Sequence, residues 1–208
     1  MGAYQWTPDY TGSISVSDAV NAGTQLDVVN DLGFSSDNHN IVWASIEHPI
    51  PLIPNIKVVS SSLDIGASSV LSRDIVFNGQ TYTTNENITT RIDMSNVEYT
   101  LYYELLDNWI NLDAGLTFRK YDGSIALKTD PAGSNINENH VLDFTIPLLY
   151  LKGRADLPFT GFFVDGEINV INYNGDSLSD TAFSVGCESE FGLGGKKPVT
   201  SYVQYGGR

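Results

Sequence analysis

The chain has 208 residues, and its 25 acidic side chains outnumber its 11 lysines and arginines, which gives a net charge of −14 at pH 7. This acidity argues against nucleic acid as a partner, because the phosphate backbone is negative as well. No apolar run approaches the roughly 20 residues that a membrane helix requires, although that test does not detect membrane-crossing strands. The one cysteine, Cys187, excludes an internal disulfide framework.

The chain is predicted to form a single domain over residues 1–208, because no linker divides it. Its opening residues, MGAYQWTP, lack the charged and apolar segments of a secretion signal, so the protein is either not exported or has lost a leader. Residues 2–7 predict a first strand. A long polar segment separates it from a second predicted strand over residues 41–48.

The segment PIPLIPN at residues 49–55 is predicted to be a connection, because its three prolines cannot donate ladder hydrogen bonds. Residues 56–63 predict the third strand. The polar stretch over residues 64–96 contains Asn78-Gly79 between two short apolar runs. That pair predicts a small hairpin with a type I′ turn.

The strongest strand signal is the segment over residues 97–121, in which apolar and polar residues alternate with a period of two. The apolar members are Val97, Tyr99, Leu101, Tyr103 and Leu105 on one strand, and Ile110, Leu112, Ala114, Leu116 and Phe118 on the next. A turn at Asp107-Asn108 makes the two strands a β-hairpin with one apolar side and one charged side.

Three further strands are predicted downstream; a polar loop precedes the first, a tight turn at PFTG (residues 158–161) joins the first to the second, and a polar loop joins the second to the third. The strands cover residues 142–157, 162–173 and 181–191, and the loops cover residues 122–141 and 174–180. Pro147 requires a bulge or an edge position, and a bulge accounts for the changed parity of the polar positions after it. Beyond about residue 192, glycines and basic residues break the pattern, and no element is assigned.

The eight predicted strands have connections that alternate in length, with long polar loops after the odd strands and short turns after the even ones. This sorting is typical of up-and-down membrane barrels, whose short turns and long loops lie at opposite ends. The sequence therefore predicts an all-β fold, an antiparallel up-and-down transmembrane β-barrel of eight to ten strands. A soluble β-sandwich or calyx that binds a ligand or self-assembles is the alternative, because alternation alone fits both.

The barrel topology has a consequence for the two ends. One rim should gather the short turns, at Pro51, Asn108 and Phe159. The other rim should hold the long loops, which contain Asp31, Asn85, Asn135 and Gly175.

Three motifs carry a family resemblance: EHPIPLIPN at residues 47–55, LYYELLDNWINLDAGLT at residues 101–117 and ADLPFTG at residues 155–161. With them the chain resembles a family of small proteobacterial outer-membrane β-barrels of uncharacterised role. The resemblance covers about residues 2–194. It implies export through the periplasm and a closed antiparallel sheet in the cell outer membrane of Gram-negative bacteria, and it implies no substrate.

In a membrane barrel the charged strand positions face the lumen, where they pair or meet water because a single buried charge is costly. The lumen-facing candidates are Glu98, Glu104, Asp113, Arg119, Lys152, Arg154, Asp165, Glu167 and Glu188. Side chains largely fill a barrel of eight strands, which favours a structural salt-bridge network over a porin-like path for ions or small solutes. The predicted function is a structural, interaction or small-solute passage role, with outer-membrane lipid and lipopolysaccharide as partners and no cofactor.

Catalysis is not predicted, and an outer-membrane hydrolase is the remaining alternative. His39 and His140 fall in predicted loops at the same end, among residue types that could build a Ser/His/acid site. Those residues are Ser35, Ser36, Asp37, Ser134 and Glu138. The loop carboxylates that could bind Ca²⁺ or Mg²⁺ are Asp27, Asp31, Asp37, Asp122 and Asp130. No segment matches the EF-hand pattern, so no metal site is predicted.

Overall fold

Alternating apolar and polar residues place most of this chain in strands. A computed structural model describes residues 1–50, 52–130, 133, 135–158, 160–191 and 199–207, with residues 188–191 and 199–207 described by their backbone alone. The strands are β1 (Gly2–Trp6), β2 (Ser13–Ile14), β3 (Leu26–Asp27), β4 (His39–Ile46), β5 (Asn55–Ser61), β6 (Asp64–Val70), β7 (Ile75–Phe77), β8 (Gln80–Tyr82), β9 (Asn87–Asp93), β10 (Asn96–Asp107), β11 (Ile110–Thr129), β12 (Asn137–Asp156), β13 (Phe162–Tyr173), β14 (Asp176–Phe191) and β15 (Val199–Gly207). Within these described ranges no helix is long and apolar enough to cross a membrane.

The main sheet is an antiparallel meander whose path runs β1-β4-β5-β10-β11-β12-β13-β14-β15. Each strand pairs with the next one along this path in antiparallel register. The all-β, antiparallel and up-and-down character predicted from the sequence is confirmed. In the part of the chain that the structure describes, the edge strands β1 and β15 are not paired with each other.

The sheet is strongly curled, and a side-chain contact shows in which direction. Lys57 on β5 and Glu167 on β13 form a 2.5 Å ion pair, although β10, β11 and β12 lie between their strands. Four strand spacings of about 4.8 Å amount to about 19 Å along the sheet. A lysine and a glutamate side chain cannot bridge that distance across a flat sheet, so the side that carries them is concave.

The shorter strands β6 and β9 continue β5 and β10, respectively, without a change of register. On β5 and β10 Ser61 pairs with Asn96, and on β6 and β9 Asp64 pairs with Asp93. The register is also continuous on the other side of β9 and β10, where the two strands pair with successive parts of β11. β6 therefore extends the line of β5, and β9 extends the line of β10, so that the sheet reaches far from the short turns. We call the end with the connections between β4 and β5, β10 and β11, and β12 and β13 the turn end, and the opposite end the loop end.

Polar and apolar residues exchange sides along these long strands. Near the turn end, the convex side of β11 is apolar and its concave side is polar. Near the loop end, Lys120 and Asp122 lie on the convex side, whereas Ile125 and Leu127 lie on the concave side. The adjoining ladder repeats the exchange, because β10 turns Leu101 outward while β9 turns Arg91 outward. One continuous sheet therefore has two zones of opposite sidedness.

An apolar core fills the concave side at the loop end, whereas nearer the turns buried apolar side chains such as Leu148 and Phe163 are interspersed with the charged residues. The sheet contributes to this core Ile65, Ile88, Ile92 and Leu127. Their partners come from the long connection between β1 and β4, from the connection between β6 and β7 and from the β7–β8 hairpin, and they are Val16, Leu26, Leu32, Phe34, Leu71, Ile75, Phe77 and Tyr82. We call residues 8–38 together with the β7–β8 hairpin the cap, because they cover this end of the concave side.

The predicted hairpins are confirmed. Val97 to Tyr121 lies within the β10–β11 hairpin, although its turn residues are Asn108 and Trp109 rather than Asp107 and Asn108. Asn78 and Gly79 have φ values of 48° and 79° between β7 and β8, as a type I′ turn requires. A register shift between Glu104 and Leu106 adds a bulge that the alternation alone did not indicate.

Several loops predicted from polar composition are wrong. Most of residues 64–96 and 122–141 lies in strands, because β6, β9, β11 and β12 extend through them. The predicted loop over residues 174–180 is instead a tight turn at Asn174 and Gly175, whose φ values are 53° and 94°. Residues 199–207, which had no sequence assignment, form β15.

The bulge predicted at Pro147 is also wrong. β12 keeps one uninterrupted register against β11 from Asn137 to Ala155, with Pro147 opposite Phe118. The alternative prediction, an edge position, is confirmed, because β12 pairs with β13 only from Leu149 onward. The parity change around Pro147 therefore reflects the exchange of sides between the two zones.

The antiparallel topology places the connections at the ends predicted for them. The β10–β11 turn with Asn108 lies at the turn end, and the connections that contain Asp31, Asn85, Asn135 and Gly175 lie at the loop end. Pro51 and Phe159 themselves lie outside the described residues. Residues 157–158 and 160–161 beside Phe159, and residues 47–50 and 52–54 beside Pro51, belong to turn-end connections.

Candidate functional site

The charged residues singled out from the sequence gather on the concave side near the turn end. Register partners form one row across four strands, in the order Glu104, Asp113, Lys152 and Glu167. The next row toward the turns contains Arg154 opposite Asp165. Glu98 and Arg119 are opposite each other on β10 and β11, nearer the loop end. The side chain of Glu188 lies outside the described residues.

One ion-pair network crosses the concavity near the middle of the sheet. Arg119 Nη2 lies 2.9 Å from Glu98 Oε1 and 2.5 Å from Asp180 Oδ2. Glu98 and Arg119 are only 2% and 6% exposed. Asp180 is on β14, three strands from β11, so this network joins distant parts of the sheet. Because one cation faces two carboxylates, the network compensates the burial of all three charges.

A chain of uncharged hydrogen bonds lies beside this network. Thr117 Oγ1 donates to Asn169 Oδ1 at 2.7 Å and is 2.8 Å from Thr100 Oγ1, which therefore donates to it. All three residues are at least 98% buried. These contacts join β10, β11 and β13 across the concavity, and they satisfy polar groups that burial would otherwise penalise.

The charges nearest the turns are also paired. Arg154 contacts Asp156 at 2.6 Å and lies 4.0 Å from the centroid of the Phe163 ring. Asp165 accepts a hydrogen bond from Ser184 Oγ. Lys57, besides its contact with Glu167, lies 5.6 Å from the centroid of the Tyr150 ring. The concave side near the turn end is therefore occupied by interacting side chains.

Sequence reasoning missed three of the residues that complete this site. Lys57 lies between Ile56 and Val58 in the predicted third strand, so a direction opposite to that of these two apolar neighbours was a usable signal. Asp180 was assigned to a polar loop, so its inward position was not considered. Glu47 accepts a hydrogen bond from Tyr102 Oη at 2.9 Å, and its position beside the proline-rich turn gave no sign of this contact.

The convex side near the turn end carries a continuous apolar surface, which we call the belt. The predicted outward residues Tyr99, Leu101 and Tyr103 of β10 belong to it and are 38–49% exposed. Leu101 pairs with Ile56 on one side and with Leu116 on the other. Further exposed members are Val42, Ile46, Leu105, Ile110, Phe118, Leu149, Leu151, Phe162, Val164, Phe183 and Val185.

The residues considered for hydrolysis are not assembled as a catalytic site in the described part of the chain. His39 is 6% exposed at the start of β4, and its Nε2 is 2.8 Å from Tyr10 Oη. His140 is exposed on β12. Ser36 donates to Asp9, and Glu138 accepts from Asn78. Ser134 lies outside the described residues. The histidines predicted in loops are therefore both on strands.

The loop carboxylates considered for metal binding serve local structure. Asp27 Oδ1 accepts hydrogen bonds from the backbone amides of Val29 and Asn30, which lower the pKa of Asp27. Asp31 forms a 2.9 Å ion pair with Arg73. The residues that the structure describes contain no group of three or more histidine, cysteine, aspartate or glutamate side chains placed to hold a metal ion.

The convex side of the loop end is exposed and carries several charged residues. Arg91 binds Asp64 through two hydrogen bonds, one of them 2.8 Å long from Nε, and this contact lowers the pKa of Asp64. Asp122 and Asp143 are register partners on the same side.

Comparison of the chain with family models, curated proteins and solved structures found no match.

Proposed function

We propose that this chain forms a small antiparallel β-barrel of eight to ten strands in the cell outer membrane, with the belt against lipid and the cap outside. In this proposal the barrel has a structural or interaction role and presents its polar, acidic loop end to the exterior. Outer-membrane lipid and lipopolysaccharide are its proposed partners, and it has no catalytic activity.

The observation that carries the proposal is the exchange of sides along unbroken strands. A soluble sandwich keeps its apolar residues on the buried side along the whole strand. Here the apolar core lies on the concave side beneath the cap, where the convex side carries charged residues. Near the turn end, exposed apolar residues form the belt on the convex side, and the concave side carries the charged rows together with buried Tyr102, Tyr150 and Phe163. Outer-membrane barrels have an outward apolar band and a polar interior within the bilayer. A strand that leaves the bilayer and enters water needs a polar convex side, and the cap provides apolar partners for its concave side here.

The filled concavity favours a structural role over passage of ions or solutes. Ion pairs from Lys57 to Glu167 and from Arg119 to Asp180 cross the concave side, and the cap covers its loop end. A closed sheet with this curvature has an interior that side chains fill. Closure follows in the proposal from the lipid environment, because a spanning sheet cannot leave backbone groups unpaired in hydrocarbon.

A cysteine placed in the belt tests the proposal directly. In a Cys187→Ser background, a fluorophore attached to Leu101→Cys should be quenched by a lipid-soluble quencher in reconstituted vesicles. The unlabelled thiol at the same position should resist a water-soluble thiol reagent. Ser68→Cys is the matched control, because Ser68 is exposed on the convex side of β6 at the loop end. Strong aqueous labelling at position 101, equal to that at position 68, would eliminate the membrane assignment.

The second candidate is a soluble calyx or self-assembling subunit, which the exposed belt favours if a second protein surface covers it. Detergent dependence separates the two candidates. A protein that stays monodisperse and β-structured in detergent-free buffer supports the soluble candidate. We expect aggregation on detergent removal and recovery of the folded protein in vesicles.

A further inference from the structure

We infer that the hydrocarbon of the bilayer also covers the turns at the turn end, so that the lipid-facing surface extends past the strands at that end only. This inference rests on the proposed membrane function and adds a partner for the turns: acyl chains, rather than water or another protein.

The first argument is the height of the belt. On β10 the outward apolar residues run from Val97 to Leu106, whose register partners on β11, Lys120 and Leu112, are eight residues apart. Eight steps of about 3.3 Å give about 26 Å along the strand, and a tilt of about 40° reduces this to about 20 Å along the barrel axis. The apolar band of outer-membrane barrels is about 25 Å tall. The belt on the strands alone is therefore about 5 Å too short.

The missing height cannot lie at the loop end. Immediately beyond the belt, the convex side carries Asp93, Asp122 and Asp143 on three neighbouring strands, with Arg91 close by. Charged side chains lose their hydration in hydrocarbon, so the upper boundary of the lipid-facing surface must lie below these residues. Any extension must therefore be toward the turns.

Each of the three turn-end connections exposes an apolar side chain, although polar residues such as Asn108 lie beside them. Leu52 is 88% exposed, Trp109 is 63% exposed and Leu157 is 52% exposed, and each belongs to a different turn-end connection. Exposed apolar patches of this kind mark contacts with membranes or with other proteins. Tryptophan and other aromatic residues are also enriched where a barrel meets the membrane surface.

A hydrogen bond places the first of these turns on the convex side. Tyr103 is an outward residue of β10, and its Oη donates to the carbonyl oxygen of Leu52 at 3.2 Å. The connection between β4 and β5 therefore folds against the belt. Its polar residue Glu47 is on the opposite side, where it accepts from Tyr102. The turn consequently continues the two-sided pattern of the strands.

The backbone of these turns is suited to an apolar phase, in which an unpaired amide is costly. Three prolines among residues 49–54 have no N–H to satisfy. The amides of Ile50 and Ile53 donate to His48 Nδ1 and to the Ile50 carbonyl. In the other two turns, the Leu157 amide donates to Phe162 and the Ile110 amide to Asn108 Oδ1.

The test is the environment of a spin label at position 52. Leu52→Cys, in the Cys187→Ser background, is labelled with a nitroxide in phospholipid vesicles. Its collisions with oxygen, which concentrates in lipid, are compared with its collisions with a water-soluble nickel chelate. Leu101→Cys serves as the lipid reference and Ser68→Cys as the aqueous reference. We expect the oxygen-to-nickel ratio at position 52 to match that at position 101 and to exceed that at position 68 several-fold.

Each other outcome has a separate meaning. An aqueous ratio at position 52 with a lipid ratio at position 101 overturns the inference and leaves the proposed function standing. An aqueous ratio at both positions overturns the proposed function as well. Protection of position 52 from both reagents shows that a protein surface covers the turn, which also overturns the inference.

Discussion

The substitution Leu101→Arg provides the most direct energetic test of the two zones. Leu101 lies midway along the outward apolar run of β10, four register positions from Val97 and four from Leu106. At about 2.5 Å of axial rise per tilted residue, it is about 10 Å from either end of the run. Arginine near the middle of a bilayer destabilises an outer-membrane barrel by about 2–4 kcal/mol.

The control is Ser68→Arg, which places the same side chain on the convex side of β6. Ser68 is exposed, and its hydroxyl lies 3.0 Å from the Thr89 hydroxyl. In water a surface substitution of this kind changes the stability by at most about 0.5 kcal/mol. Leu101→Arg should therefore lower the folding equilibrium constant of the unsubstituted protein by a factor of roughly 30 to 700, whereas Ser68→Arg should change it by no more than about twofold.

The assay is reversible urea unfolding in phospholipid vesicles, followed by tryptophan fluorescence and by far-ultraviolet circular dichroism. Leu101→Arg should shift the unfolding midpoint to lower urea with an unchanged slope, because slope reports the surface exposed on unfolding. Equal stabilities for the two arginine variants would refute the reasoning, since both residues would then face the same solvent.

Three further substitutions test the interior and the loop end. Arg119→Met removes the cation that faces buried Glu98, so we expect a loss of about 3–5 kcal/mol in urea unfolding, largely recovered by adding Glu98→Gln. Arg91→Gln should raise the pKa of Asp64 toward its ordinary value, which carboxyl NMR measures. Because Arg91 lowers that pKa, the stabilisation of the folded state by this pair is present above about pH 4 and is lost as the pH falls through the lowered pKa. Burial raises the pKa of Tyr82, so the contribution of the neutral phenol to folding stability is present below about pH 10 and is lost at higher pH. We expect hydrogen exchange in the cap of the unsubstituted protein to increase at alkaline pH, and we expect Tyr82→Phe to lack this increase.

The strands nearest the turns were predictable because each one meets a single environment on each side. Residues 97–105 and 110–118 alternate, and the β10–β11 hairpin follows that alternation apart from the bulge between Glu104 and Leu106. Asn78-Gly79 was readable for a different reason, since its backbone conformation favours those two residues. Local sequence signals were sufficient in both cases.

The interior site was predictable only in part. The outward or inward direction of Glu98 and Asp113 follows from their parity in the hairpin, but parity does not identify partners four strands away. The pairing of Lys57 with Glu167 depends on how tightly the sheet curls. That curvature results from the packing of the whole sheet, and no segment of sequence encodes it alone.

The loop end was misread because the period-two rule assumes that one side of a strand stays apolar. On β11 the apolar positions are even up to Phe118 and odd at Ile125 and Leu127, which resembles the end of a strand. The backbone continues, and only the surroundings change: the cap supplies an apolar partner to the concave side, and water replaces the apolar surroundings of the convex side in the proposed membrane arrangement. A change of parity within a long antiparallel strand is therefore a signal for the boundary between two solvents, provided that the register continues across it, as it does here from Ile110 to Lys128.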